Sequence, residues 1–152
     1  MNRSSTSGVT LLELLIVVTI IGIVAGVSFP SVTSGLSGLR LQTASGSVAS
    51  FLTSSMNRVD RREEAAAIVV SPQENRLAVF TANSGDTPTR TMQMPQGIRI
   101  EGEEPRRYLF MPGGTVPRMT VILRNDKGAR RSIQIDPVTA VPDIKRIDGA
   151  SQ

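Results

Sequence analysis

The segment from Val9 to Phe29 constrains this chain more than any other. Fifteen of its twenty-one residues are apolar, and Glu13 is its only charge. As a helix it would extend about 31 Å, enough to cross the hydrocarbon core of a bilayer. Arg3 is the only charge ahead of it, and a basic flank favours a cytoplasmic N-terminus with the rest exported. A cleaved signal peptide is one reading, with Gly26 and Ser28 placed for a cut before Phe29. An uncleaved single-pass anchor is another. Glu13 is the difficulty for a disposable signal. A carboxylate costs roughly 2.5–3.5 kcal/mol near a bilayer centre, and less near its face. That cost makes sense if a positive charge on a partner is waiting for it.

Gly8-Val9-Thr10-Leu11-Leu12-Glu13-Leu14 resembles the class III signal of type IV pilins and pseudopilins. The resemblance implies that residues 1–8 are a leader, cut between Gly8 and Val9 by prepilin peptidase, which then methylates the new terminal amine. It implies that Glu13 pairs with the terminal amine of a neighbouring subunit during filament assembly. Gly22 and Pro30 fall where that family has its helix-loosening glycine and proline. Two positions depart from the pattern: Val9 stands where Phe is usual, and Ser7 precedes the glycine where Lys or Arg is common.

After Pro30 the chemistry changes. Residues 31–57 are rich in Ser, Thr, Gly and Ala, with Arg40 as the only charge. Leu41, Ala44, Val48, Phe51, Leu52, Ser55 and Val59 recur at the spacing of one helix face. The helix is therefore expected to continue to about Arg62 and to lay that stripe on the rest of the domain. Pro30 lacks a backbone N–H, so a kink or local break is expected there. Arg58, Arg61 and Arg62 suit the negative pole of the helix end.

Beyond Glu64 the period becomes two. Strands are expected over residues 65–70, 76–81, 98–100, 106–111, 119–124, 130–136 and 141–144, with turns at Ser71–Asn75, Pro112–Thr115 and Asn125–Gly128. In the clearest hairpin, Val121 and Leu123 share a core face with Ile133 and Ile135, and Gly128 suits a left-handed turn position. The fold class expected is α+β: a long N-terminal helix on a C-terminal antiparallel sheet of six or so strands. The domain plan is a leader over 1–8, a membrane or filament-core helix over 9–30, its amphipathic continuation over 31–62, and an exported β-rich domain over 63–152.

Tyr108-Leu-Phe-Met-Pro-Gly-Gly, Thr120-Val-Ile-Leu and Ser132-Ile-Gln-Ile-Asp-Pro-Val-Thr resemble the end of the H-type minor pseudopilins, the GspH/FimT family. That similarity covers about residues 105–144. It implies a minor pseudopilin of a type II secretion system, held in the inner membrane and built into a periplasmic filament. Its implied partners are other pseudopilins or pilins, prepilin peptidase, an inner-membrane assembly platform, membrane lipid and exported cargo. A minor pilin of a type IV pilus, priming assembly or taking part in DNA uptake, is the alternative.

The chain has no His, Cys or Trp, which removes imidazole bases, thiol nucleophiles, disulfides and the usual zinc sites. No nucleophile elbow or phosphate-cradling glycine loop occurs. No enzymatic activity and no cofactor are expected. Asn83–Asp86 and Asn125–Asp126 offer oxygen ligands but read equally well as turns. The net charge is +4. The doublets Arg106-Arg107, Arg130-Arg131 and Lys145-Arg146 lie in or beside strands, where neighbours face opposite ways and each contributes one charge per face. Were DNA bound, Lys145 and Arg146 with the polar tail would be the first place to look.

Overall fold

The computed structural model describes residues 9–147, except for the side chains of residues 27–34. The chain divides into two compact units, Met1–Leu36 and Ser37–Gln152. A single 52-residue α-helix, α1 (Leu11–Arg62), contributes to both. It passes position 30 without a break in its helical run. Pro30 itself is among the residues whose side chains lie outside the description.

In the second unit the helical stripe is buried as its spacing requires. Leu41, Ala44, Val48, Phe51, Leu52, Ser55 and Val59 are all buried, and Met56 joins them. The inward hydroxyls of Ser45 and Ser55 donate to the carbonyls of Leu41 and Phe51 one turn back, both at 2.7 Å. A polar side chain is thus tolerated on this face because the helix satisfies it. The helix ends after Arg62, where Glu63 takes a left-handed φ of 51°. The Arg61 side chain donates to the Asn57 carbonyl at 3.3 Å, in the last turn where cations are favoured.

Eight strands follow: β1 (Ala66–Ser71), β2 (Arg76–Thr81), β3 (Arg90–Gln93), β4 (Ile98–Ile100), β5 (Arg106–Phe110), β6 (Met119–Asn125), β7 (Arg130–Ile135) and β8 (Pro142–Ile147). They form two antiparallel four-stranded sheets rather than one, in the orders β3-β2-β1-β5 and β4-β6-β7-β8. From β3 to β6 the chain alternates between the sheets, strand by strand. The additional strand is β3, whose Arg-Thr-Met-Gln has a single apolar residue. An edge strand needs only one paired side, so it leaves no hydrophobic alternation to read.

The hairpin of β6 and β7 has the expected register, with Met119 opposite Ile135 and Val121 opposite Ile133. All four are buried, together with Leu123. Gly128 carries a φ of +82°, the left-handed turn position. Ile68, Val70, Leu77 and Val79 of the first sheet, Ile98, Ile133 and Ile135 of the second, and the helical stripe join in one core cluster.

Two buried or half-buried asparagines tie these pieces together. Asn75, in the β1–β2 turn at φ 53°, donates from Nδ2 to the Ile98 carbonyl at 2.8 Å and accepts the Ile100 N–H on Oδ1 at 2.9 Å. Its amide imitates a strand neighbour for β4 and so links the two sheets. Asn125 accepts the N–H groups of Lys127 and Ala129 on Oδ1 at 3.1 and 2.8 Å, closing the hairpin turn. Its Nδ2 donates to the Ser37 carbonyl at 3.3 Å.

Candidate functional site

The N-terminal site begins with a cap. Thr10 precedes the helix, and its Oγ1 accepts the backbone N–H of Glu13 at 3.2 Å. The Thr10 carbonyl accepts the Leu14 N–H, also at 3.2 Å. Thr-x-x-Glu is the capping-box sequence, so Thr10 fixes where the helix starts and places Glu13 in its first turn. An acidic group there meets the positive pole of the helix dipole. That local effect accounts for a carboxylate at a helix start but not for one followed by an apolar helix.

From Leu11 to Val24 the large apolar side chains are exposed on every face. Leu11 is 86% exposed, Ile16 50%, Val17 49% and Ile23 64%. A helix apolar all round is one that is buried on all sides by something else. Gly22 and Gly26 lie four residues apart on one face, and a Cβ at either would meet nothing within 4 Å. Nothing in the described chain requires glycine there. The Thr19 hydroxyl returns to the Leu15 carbonyl at 2.7 Å, which leaves Glu13 as a polar side chain without such satisfaction. Glu13 is exposed and makes no ion pair among the described residues.

Of the residues singled out from the sequence, Val9, Glu13 and Gly22 lie on this segment. Gly8 and the rest of the leader lie outside the described residues, as does the side chain of Pro30. Among the described residues no helix is long and apolar enough to cross a membrane. The apolar run of the sequence continues to Phe29, past the last described side chain of this segment, at Gly26.

The basic pair at the other end is separated by its strand. Lys145 is opposite Ser132 and Arg146 opposite Arg131, so the two point to opposite faces of β8. Lys145 Nζ is 3.0 Å from Asp143 Oδ2, an exposed ion pair. No group of three His, Cys, Asp or Glu side chains able to hold a metal occurs among the described residues. Asn125 spends its side-chain oxygen on its own turn. The carboxyl of Asp136 is held below its ordinary 3.8 by the backbone N–H of Thr139 and then that of Val138.

One interaction had no signal in the sequence. The Arg90 guanidinium lies 4.9 Å above the centre of the Phe51 ring and donates to the Ser54 and Ser55 hydroxyls at 3.0 and 3.3 Å. It fastens the edge strand β3 to the helix by a cation–π contact. Residues 36 apart in an unremarkable segment gave no reason to pair them.

Residues 3–29 match the family model of the prokaryotic N-terminal methylation motif. The fold resembles the minor pseudopilin EpsH of the Vibrio cholerae type 2 secretion system, with a TM-score of 0.55 at 10% identity over 74% of this chain and 99% of that one. It resembles equally the type IV minor pilin FimU of Pseudomonas aeruginosa, with a TM-score of 0.50 at 14% identity over 73% of this chain and 95% of that one. No curated protein matches the chain in sequence. The chain thus carries the N-terminal methylation motif at its start, and its α+β fold, a long helix with antiparallel sheets, is like the folds of EpsH and FimU.

Proposed function

We propose that the chain is a minor pseudopilin of a type II secretion system, and that its action is mechanical. The observation that carries this reading is the N-terminal helix, apolar on every face, with the single carboxylate of Glu13 in its first turn. Prepilin peptidase cuts after Gly8 and methylates Val9. The segment from Val9 to Phe29 sits first in the inner membrane as a single span, with the N-terminus cytoplasmic and the β domain periplasmic. An assembly platform then transfers it into a filament, where lipid is replaced by the helices of neighbouring subunits. Glu13 receives the terminal amine of a neighbour, and a subunit set in the wrong register leaves that carboxylate unpaired at a cost of several kcal/mol. Gly22 and Pro30 let the helix adjust as it packs.

The intact mass and N-terminus of the membrane-extracted protein test the reading. Methylated Val9 as the first residue supports it, and a chain starting at Phe29 ends it. Glu13→Ala should leave the β domain folded and abolish incorporation; unchanged incorporation removes the register role.

The resemblance to FimU supports a second reading, a minor pilin of a type IV pilus. Neighbouring secretion ATPase and secretin genes favour the first, and pilus retraction and competence genes the second. A salt-dependent DNA complex lost on removing Lys145 and Arg146 would also favour the second.

A further inference from the structure

The outward face of the second sheet carries an arrangement the fold does not account for. Arg99 on β4 is directly opposite Arg124 on β6, and Arg124 is opposite Arg130 on β7. Three guanidinium groups therefore stand in one row across three adjacent strands. Directly opposed side chains have Cβ atoms about 4.5–5.5 Å apart, and like charges there are destabilising. Arg130 is relieved by Glu101, which holds its Nε and Nη2 at 2.7 and 2.6 Å across β6. Arg99 and Arg124 are exposed and make no ion pair among the described residues. Both line an open cavity of about 470 Å³, with Glu101 and Asp126 among the other walls. Exposed like charges set side by side, with no ion pair of their own, are open to a partner from outside the chain.

We propose that Arg99 and Arg124 form a docking point for an acidic segment of a neighbouring protein subunit, each guanidinium fork taking one carboxylate. Arginine presents a planar pair of donors that matches a carboxylate, and both guanidinium groups border the same open cavity. A nucleic acid fits this face less well. Glu101 and Asp126 interrupt the positive field, and on β8 Lys145 is paired with Asp143, so a continuous phosphate track would meet carboxylates as well as arginines. The outward residues between them include Thr120, Ile122, Ser132 and Gln134, and none is an aromatic on which a base could stack. That the partner is a fellow subunit rests on the filament reading above; the arginine clamp itself does not.

The full chain in detergent micelles, titrated by fluorescence anisotropy with a labelled octaglutamate peptide and separately with labelled duplex DNA, tests this. Octaglutamate should bind more weakly as salt rises. R99Q/R124Q should weaken it at least tenfold, while R106Q/R107Q, which removes two arginines from the other sheet, should change it less than twofold. Because the double substitution at 99 and 124 relieves repulsion, its Tm should equal or exceed that of the parent. Unchanged octaglutamate affinity in R99Q/R124Q overturns the proposal. Tighter DNA binding lost with the same pair, or a lower Tm, overturns it as well. The mass measurement at Val9 is independent, so a failed clamp would leave the subunit reading standing.

Discussion

The helix α1 contains two regions built on opposite rules. From Leu11 to Val24 every face is apolar and exposed, whereas from Leu41 to Val59 one stripe is apolar and buried. The second region is completed by its own chain: Leu52 is 0% exposed and sits in the same cluster as Leu77, Val121 and Ile133. The first region has nothing in the described chain to cover it. One continuous helix therefore carries a buried apolar stripe in one region and an exposed apolar surface in the other. What distinguishes them is angular distribution rather than helix-forming tendency, since the first region is the more apolar and the less buried.

The largest effect expected to separate these regions comes from truncating one leucine in each. Leu52→Ala should destabilise the β domain by about 2–5 kcal/mol, the cost of a core cavity, read by thermal or denaturant unfolding. Leu15→Ala should leave that transition in place and lower only the recovery of the protein in the membrane fraction. If Leu15→Ala shifted the transition as far as Leu52→Ala, the two regions would share a core and the contrast would fail.

Next in size is Asn75→Ala, which orphans the Ile98 carbonyl and the Ile100 N–H. A loss of about 1–3 kcal/mol is expected, and amide exchange should accelerate first at Ile100. Thr10→Ala is the corresponding change in the first region. It should cost about 0.5–2 kcal/mol of local helix stability, visible as faster exchange at Glu13 with no movement of the domain's unfolding midpoint.

The smallest effect is that of acid. The carboxylate of Asp136 is favoured in the folded turn by the N–H groups of Thr139 and Val138, so its folded pKa lies below 3.8. Its stabilising contribution is present above the unfolded pKa and is lost as pH falls through the lower, folded one. Acidification below about 3.8 should loosen the β7–β8 turn and leave the helical cap at Thr10 intact, which amide exchange at Val138 and Thr139 can follow.

Most of the secondary structure was legible because it is local. The alternation of Met119 to Arg124 and of Arg130 to Ile135, with Gly128 between them, fixes a hairpin and its register without reference to anything distant. At the N-terminus the contiguous apolar run and the lone Glu13 within it were read directly from the sequence, whereas the cap that Thr10 places on Glu13 came only with the structure. β3 was missed because Arg90-Thr-Met-Gln93 carries no period, and its place is decided by β2 and by the Phe51 ring. The anchoring of Arg90 and the bridging role of Asn75 were equally unreadable, since their partners lie 23 to 39 residues away.

The sequence by itself determined the two kinds of helix surface, the strands of the clear hairpin and the carboxylate placed at the start of an apolar helix. Each follows from steric preference and hydrophobic period within a few residues. Only the tertiary structure decided that the strands divide into two sheets, with β5 leaving its neighbours to pair with β1 and β4 pairing instead with β6. It also decided that Arg99, Arg124 and Arg130 stand in one row. Register between strands depends on the single packing that buries both inner faces at once, and the charges on the outer face follow from that register.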